Sequence, residues 1–155
     1  MQYYPTMRWL ALDHGTKNIG IAFSDEMEII ASPFEVWPNQ GDDTLDRLAQ
    51  LAKAEGAQAL VVGLPCHKDG TESVTAPLAR AFGEALSRRT GLPLQLWNEH
   101  LSSAEAERLL ASRGVKPKDR KAKLDAAAAA VILQDLMETR RSRRIPSDSF
   151  DGSTS

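Results

Sequence analysis

The 155-residue sequence has one cysteine, few aromatic residues and nearly balanced charge. Because Cys66 is alone, an internal disulfide is excluded, and this cysteine usage fits a reducing compartment. The formal net charge of −2 gives no global basic excess, so any contact with nucleic acid must depend on local clusters of cations. Aromatic residues form 6% of the chain, which argues against sequence reading of single strands by base stacking.

Long apolar segments are also lacking. The first nine residues, MQYYPTMRW, do not contain the apolar core of a signal peptide, and no apolar run is long enough to span a bilayer. We therefore expect a cytoplasmic protein that does not associate with membranes. The length suffices for one domain with a substantial core and is too short for two domains of ordinary size.

Hydrophobic patterning and turn residues predict five strands and four helices. The predicted strands are residues 8–13, 19–24, about 27–37, 58–65 and 92–97. The first predicted helix runs from Asp42 or Asp43 to about Ala54, and the second has Pro77 in its first turn and ends before Gly91. The third begins at the capping box of Ser102 and Glu105 and stops near Gly114, and the fourth spans about Asp119 to Glu138.

This order of elements predicts an α/β fold. Three strands joined by short links favour an antiparallel meander, and the two following βα units favour parallel strands. The result is one five-stranded mixed sheet with helices on both faces, an order shared with the ribonuclease-H-like fold. We expect the folded domain to cover residues 7–139, between an N-terminal extension of residues 1–6 and a polar, disordered tail of residues 140–155.

Three carboxylates fall at special places in this scheme. Asp13 ends the first strand, Glu99 follows the fifth strand, and Asp125 opens the apolar part of the last helix, LDAAAAAVILQDLM. Carboxylates at neighbouring strand ends can converge on one edge of a sheet, and a helix packed on that sheet can supply another. Such a cluster needs compensation because like charges repel, and divalent cations are the usual remedy.

The chemistry of such a cluster is that of a metal-dependent nuclease. Mg²⁺ takes oxygen ligands from a few carboxylates, and two ions about 3.5–4 Å apart assist phosphodiester hydrolysis. We therefore predict that Asp13, Glu99 and Asp125 are both catalytic residues and ligands of Mg²⁺ or Mn²⁺, with Asp13 bridging the ions. Simpler interpretations stay open: Asp13 could bond turn amides, Glu99 could be a solvated loop residue, and Asp125 could be an ordinary helical residue.

Glycines and basic residues surround these carboxylates in the sequence. Gly15 marks the turn after the first strand, and Gly20 marks a position with little room for a side chain. The segment VKPKDRKAK, residues 115–123, is predicted to be a basic loop just before Asp125. Candidate phosphate contacts are Lys17, Lys68, Lys121 and Lys123. The alternative is that the basic loop is only solvated.

Four ordered blocks of the sequence carry a resemblance to a known family. LDHGTKNIGIAFSD, VVGLPCHKDGTE, LWNEHLSSAEAERLL and KLDAAAAAVILQ together resemble the YqgF/RuvX family over about residues 7 to 138. The resemblance implies a ribonuclease-H-like nuclease related to Holliday junction resolvases. It implies either maturation of the 16S rRNA precursor, with ribosomal precursor particles as partners, or cleavage of branched DNA. The acidic site residues of the family carry over onto Asp13, Glu99 and Asp125. A monomer and a homodimer both fit.

The sequence also departs from the family pattern. The first block usually has Arg where this chain has Asn18, and the third usually reads Asp-Glu-Arg where this chain has Asn98, Glu99 and His100. The missing arginines remove fork-shaped phosphate contacts that Asn and His do not replace. These departures keep open a non-catalytic module that binds nucleic acid or the ribosome. A phosphotransferase is a further alternative, since DHGT also resembles the phosphate loop of the actin, sugar-kinase and Hsp70 superfamily.

Overall fold

The computed structural model describes residues 5–67, 69–99 and 103–144. The strands are β1 (Trp9–His14), β2 (Asn18–Ser24), β3 (Ala31–Pro38), β4 (Ala59–Pro65) and β5 (Leu94–Glu99). The helices are α1 (Asp42–Ala54), α2 (Ala76–Thr90), α3 (Ser103–Ser112) and α4 (Pro117–Arg144). The predicted order of elements is confirmed. None of the helices in the described ranges has the length and apolar character needed to cross a membrane.

The five strands form one mixed sheet in the order β3-β2-β1-β4-β5. Strand β1 pairs antiparallel with β2, which pairs antiparallel with β3. On its other side β1 pairs parallel with β4, which pairs parallel with β5. The predicted meander followed by βα units is therefore correct, and the carboxyl ends of β1, β4 and β5 lie at the same edge of the sheet.

Helices α1 and α2 cover one face of the sheet through large aliphatic side chains. Leu45, Leu48 and Ala52 are buried on α1 with helical spacing, which gives this helix an apolar stripe. The strand residues of this core alternate along each strand, so that they share one face. They include Leu10, Leu12, Ile19, Ile21, Phe23, Leu60 and Val62.

Helix α4 covers the opposite face, where most of the packed side chains are small, and α3 packs against α4. The strand residues of this core are Trp9, Ala11, Ala22, Ala31, Ala59 and Val61, and α4 contributes Ala129 and Ala130 before the larger Ile132 and Leu133. Gly20 on β2 lies directly under α4: a Cβ atom there would stand 2.0 Å from the carbonyl oxygen of Asp125. The prediction that Gly20 has little room for a side chain is confirmed.

Strand β3 begins at Ala31 and not at residue 27, so its predicted start is wrong. The carboxylate of Asp25 accepts hydrogen bonds from the backbone N–H groups of Met27, Ile29 and Ile30. These bonds close a turn in place of the strand ladder. Glu28 within the turn has a φ of 54°, a left-handed conformation that a strand does not contain.

The basic segment 115–123 is not a loop over its whole length, because α4 begins at Pro117. Proline is favoured at the first position of a helix, where its missing N–H costs no hydrogen bond. Lys118, Lys121 and Lys123 therefore stand on the first turns of α4.

Helix α4 also continues to Arg144, five residues beyond the predicted end of the folded domain at residue 139. The guanidinium of Arg140 pairs with the carboxylate of Glu28, Nε to Oε1 at 2.9 Å, and Glu28 is 0% exposed. Arg141 donates to the carbonyl oxygen of Glu28. These long-range contacts hold residues 140–144 in the helix, so this part of the tail prediction is wrong. Residues 145–155 and 1–4 lie outside the described residues.

Candidate active site

Two of the three predicted carboxylates stand at the carboxyl edge of the sheet and on the same face. Asp13 shares the face of Ala11, which packs under α4, because side chains alternate along β1. Glu99 shares the face of Trp97 on β5, which also packs on the α4 side. Strand β4 lies between β1 and β5. A Cβ atom on Gly63 of β4 would lie 3.4 Å from Glu99 Oε2. The carboxylate of Glu99 therefore leans over β4 towards β1.

The third carboxylate reaches the same place from α4. Asp13 pairs with Gly20 across the β1–β2 ladder, and the backbone of Asp125 lies against Gly20. The close contact is possible because Gly20 has no side chain. In the sheet order, β1 lies between β2, on which Asp125 rests, and the β4–β5 pair that ends at Glu99. The fold thus brings Asp13, Glu99 and Asp125 together, with Asp13 in the middle.

The three acidic groups act on one another electrostatically. Burial, and then the charges of Glu99 and Asp125, together raise the pKa of Asp13 to about 8. Burial and then the charge of Asp125 raise the pKa of Glu99. Burial raises the pKa of Asp125 as well. Raised carboxylate pKa values are the expected mark of a half-buried acidic cluster that is poised for a counter-charge.

The donors of this cluster are carboxylate oxygens, the atoms that Mg²⁺ and Mn²⁺ prefer. Within the described ranges, no three side chains of His, Cys, Asp or Glu form a group that could hold a metal ion. The cluster is thus not an all-protein metal cage. Mg²⁺ is usually bound by one or two carboxylates together with water and substrate phosphates, so the chemistry of the donor set fits this ion.

An acid-lined groove of about 340 Å³ leads away from Glu99 between β5 and α4. Its walls carry three further carboxylates, Glu105, Asp135 and Glu138. Asp135 accepts a hydrogen bond from Trp97 Nε1 at 2.7 Å, which fixes one wall of the groove. The negative charge along this groove disfavours a phosphate backbone there.

The predicted cationic residues stand on other sides of the cluster. Lys17 is exposed in the β1–β2 turn, directly after the strand that carries Asp13. Lys121 and Lys123 are exposed on α4, in the turn before Asp125. All three lysines are exposed and close to a cluster carboxylate in the chain, and their role as phosphate contacts stays a prediction. Lys68 lies outside the described residues.

The departures from the family pattern are also located. Asn98 is exposed, and its side chain alternates with that of Glu99 along β5. It also lines the groove beside Glu99, so an amide stands there where the family pattern has a carboxylate. Asn18 is exposed at the start of β2. His100 lies outside the described residues.

Asn39, which is not among the predicted site residues, contacts the turn that follows Asp13 at several points. The run Pro38-Asn39-Gln40-Gly41 after a strand has the composition of a turn, and this signal could have drawn attention to Asn39. Its partner across the sheet is not visible in the sequence, because the two residues are 24 positions apart.

Comparison with known proteins gives a consistent result. The model of the family described as "RuvX: Holliday junction resolvase" matches residues 7–139. A protein of Symbiobacterium thermophilum named "Putative pre-16S rRNA nuclease" is 41% identical over 145 residues, which are 93% of this chain and 99% of that protein. A protein of Anaeromyxobacter dehalogenans with the same name is 41% identical over 135 residues, 86% of this chain and 98% of that protein.

Two solved structures share the fold. One is RuvC of T. thermophilus in complex with a Holliday junction substrate, with a TM-score of 0.57 and 16% identity over 88% of this chain and 96% of that one. The other is the Fowlpox virus resolvase with its substrate Holliday junction DNA, with a TM-score of 0.51 and 10% identity over 84% of this chain and 99% of that one. At these identities, the likeness confirms the predicted ribonuclease-H-like architecture.

Proposed function

The chain belongs to the RuvX family, and from this premise we propose that it is a metal-dependent nuclease that hydrolyses phosphodiester bonds in the 16S rRNA precursor. The observation that carries the proposal is the convergence of Asp13, Glu99 and Asp125 at one edge of the sheet, where their pKa values are raised. An RNA precursor is favoured as the substrate because the relatives that match at about 40% identity are named for it.

The roles of the residues follow from their positions. Asp13 lies between the other two acids and would bridge the cations, while Glu99 and Asp125 would complete their ligands on either side. A divalent cation bound there would supply Lewis-acid stabilisation of the negative charge on the phosphate. Lys17, Lys121 and Lys123 would neutralise neighbouring phosphates and hold the strand across the carboxylates, with Lys68 as a fourth candidate.

A parallel assay tests the substrate and the site together. Purified protein receives a structured fragment of the 16S rRNA precursor and a four-way DNA junction, each with Mg²⁺ or Mn²⁺. We expect cleavage of the RNA, and we expect Asp13→Asn to lower its rate at least about 100-fold. The matched control is Asp119→Asn, which removes an exposed carboxylate from the first turn of α4 and should cleave like wild type.

The outcomes separate the proposal from its alternatives. Cleavage of the junction with no cleavage of the RNA would favour a branched-DNA resolvase, the activity in the description of the family model. Binding of either nucleic acid with no cleavage under any metal would favour a non-catalytic module, the possibility that Asn98 and His100 keep open. Undiminished cleavage by Asp13→Asn would contradict the proposed site.

A further inference from the structure

The turn between β1 and β2 lies at the same edge of the sheet as the acidic cluster. It follows Asp13 and His14 directly, and its tip residues Thr16 and Lys17 are exposed. The N–H of Gly15 donates to the carbonyl oxygen of Asn18 at 2.9 Å and closes the turn. A Cβ atom on Gly15 would lie 2.7 Å from that same oxygen, so the turn is tight. Any group that this turn presents therefore has a defined position relative to Asp13.

Asn39 holds this turn from the far side of β2. Its backbone N–H donates to the carbonyl oxygen of Lys17 at 2.8 Å, and its Nδ2 donates to the carbonyl oxygen of Gly15 at 2.9 Å. Nδ2 also lies 3.4 Å from His14 Nε2. One residue thus bonds the turn on both sides of its tip. In both bonds a carbonyl oxygen of the turn, that of Lys17 or Gly15, accepts from Asn39.

Asn39 is itself fixed in place. Its Oδ1 accepts a hydrogen bond from the N–H of Gly41 at 3.1 Å. The preceding residue, Pro38, is the last of β3 and accepts a hydrogen bond from the buried hydroxyl of Thr44 at 2.9 Å. That hydroxyl also accepts the N–H of Gln40 at 2.8 Å. Asn39 therefore transmits the rigidity of β3 and α1 to the turn.

The group that the turn presents is a cation. Among the described residues, Lys17 makes no ion pair with an acidic side chain. An exposed ammonium at this edge of the sheet can contact a phosphate of the nucleic acid. The contribution of that contact depends on how firmly the backbone of Lys17 is held. Asn39 supplies that support without being placed to touch the reacting atoms itself.

We propose that Asn39 is a positioning residue: it fixes the β1–β2 turn so that Lys17 meets a phosphate of the nucleic-acid strand next to the cleaved bond. This inference rests on the proposed function, because it assigns the turn to the same substrate. It adds that the phosphate contact depends on a residue of the β3–α1 link, which neither carries a positive charge nor belongs to the acidic cluster.

A double-mutant cycle of binding affinities tests the inference. Binding of the rRNA precursor fragment and of the four-way junction is measured in EDTA over a range of salt concentrations. Lys17→Gln should reduce the slope of log affinity against log salt by about 1, the value expected for one lost phosphate contact. Asn39→Ala should reduce it similarly while Lys17 is still present. The double variant should lose no more than Lys17→Gln alone, because both changes remove one contact.

The matched control is Gln58→Ala. Gln58 also ties a connecting segment to another strand, since its Oε1 accepts the N–H of Arg8 at 3.0 Å, but it precedes β4 at the opposite edge of the sheet. We expect a comparable loss of thermal stability and an unchanged salt slope. If Asn39→Ala does not fold, Asn39→Ser takes its place. Like alanine, serine keeps the backbone bond to Lys17 and loses the side-chain bond to Gly15, but its hydroxyl can still accept the N–H of Gly41.

Three results would overturn the inference. One is an unchanged salt slope in the Asn39 variant, and the other is an equal loss of affinity from Asn39→Ala with and without Lys17. A wild-type protein that binds neither nucleic acid would overturn it too. A protein that binds with the expected cycle but never cleaves would contradict the nuclease proposal alone, so the two failures are distinguishable.

Discussion

The two faces of the central sheet are packed with side chains of very different size. Towards α1 and α2 the strands present leucine, isoleucine and phenylalanine. Towards α4 they present mainly alanine, and at Gly20 no side chain at all. The first face buries more apolar surface for each residue, which is the main source of stability. The second lets the backbone of a helix lie directly on a strand.

The face towards α1 and α2 contributes mainly to stability, and the face towards α4 sets the geometry of the acidic cluster. On the α4 face the close approach at Gly20 brings Asp125 beside Asp13, so small residues there set the geometry of the acidic cluster. This face must also hold α4 with fewer large contacts along the alanine segment. The ion pair of Arg140 with Glu28 provides an anchor near the other end of the helix. Substitutions on the two faces should change the free energy of unfolding by different amounts, and they follow from the largest expected change to the smallest.

Loss of the anchor should have the largest effect. Arg140→Ala removes the cation beside a fully buried carboxylate, and we expect the free energy of unfolding to fall by about 3–5 kcal/mol at neutral pH. Burial alone would raise the pKa of Glu28, but hydrogen bonds from Arg140 and from the N–H of Met7 lower it below its ordinary value. The stability that the pair supplies should therefore disappear as the pH falls below about 4. Denaturant unfolding at several pH values measures this.

Arg143→Ala is the matched control, because Arg143 is exposed on the same helix. We expect its effect to stay within about 0.5 kcal/mol. Equal effects of the two substitutions would mean that the ion pair does not anchor α4.

Neutralisation of the central acid should stabilise the metal-free protein. Folding raises the pKa of Asp13 from 3.8 to about 8, so ionisation opposes folding as the pH rises through this interval. Asp13→Asn should therefore raise the free energy of unfolding by roughly 2–4 kcal/mol above pH 8, and the gain should vanish below about pH 4. Denaturant unfolding in EDTA measures the difference.

Added Mg²⁺ sharpens this prediction. Binding to the folded state alone stabilises by about 2.7 kcal/mol at one hundred times the dissociation constant. Wild type should gain stability from the ion, and Asp13→Asn should gain much less. A gain of equal size in both proteins would show that the ion binds away from Asp13.

A single added methyl group on the α4 face should have a smaller effect on stability and a large effect on activity. The Cβ atom of Gly20→Ala would collide with the backbone of Asp125, which cannot move as a side chain can. We expect a loss of about 1–3 kcal/mol and a fall in cleavage of about 100-fold, since misplacement by about 1 Å suffices for that. Thermal unfolding and the cleavage assay test both parts.

The contrasting substitution is Ile21→Val, one residue further along β2 and on the opposite face. Removal of a buried methyl group there should cost about 0.5–1.5 kcal/mol and leave cleavage unchanged. If both variants lose activity in proportion to stability, the faces do not differ in function.

Much of the fold could be predicted because the local signals agree with the tertiary structure. The apolar run of β4, and Pro77 and Gly91 near the two ends of α2, predicted the correct elements. The predicted capping of α1 by Asp42 or Asp43 is wrong, because the N-cap residue is Gly41 and both aspartates lie in the first turn. The predicted start of β3 was wrong because Ile29 and Ile30 look like strand residues, whereas their N–H groups donate to the carboxylate of Asp25, four and five residues earlier. The start of α4 carried a local signal, Pro117, that the basic residues around it obscured.

The sequence indicated in part where the three acids lie in the fold, but it did not reveal the contacts that bring them together. Chain position alone suggested that Asp13 and Glu99 share an edge, since parallel strands end together. The approach of Asp125 depends on the helix lying on Gly20, and the extension of α4 depends on a pair 112 residues apart in the chain. Neither contact produces a hydrophobic periodicity that could be recognised in the sequence. The catalytic and metal-binding roles of the three acids stay predictions until cleavage and binding are measured.

The groove beside Glu99 makes the charge around the acidic cluster asymmetric. Carboxylates line it along β5 and α4, whereas Lys17, Lys121 and Lys123 stand on the other sides of the cluster. The carboxylates of the groove therefore repel a nucleic-acid strand that lies over Asp13, and the lysines attract it. The footprint of the protein on its substrate should be lopsided, reaching several nucleotides past the cut towards the lysines and stopping short on the side of the groove.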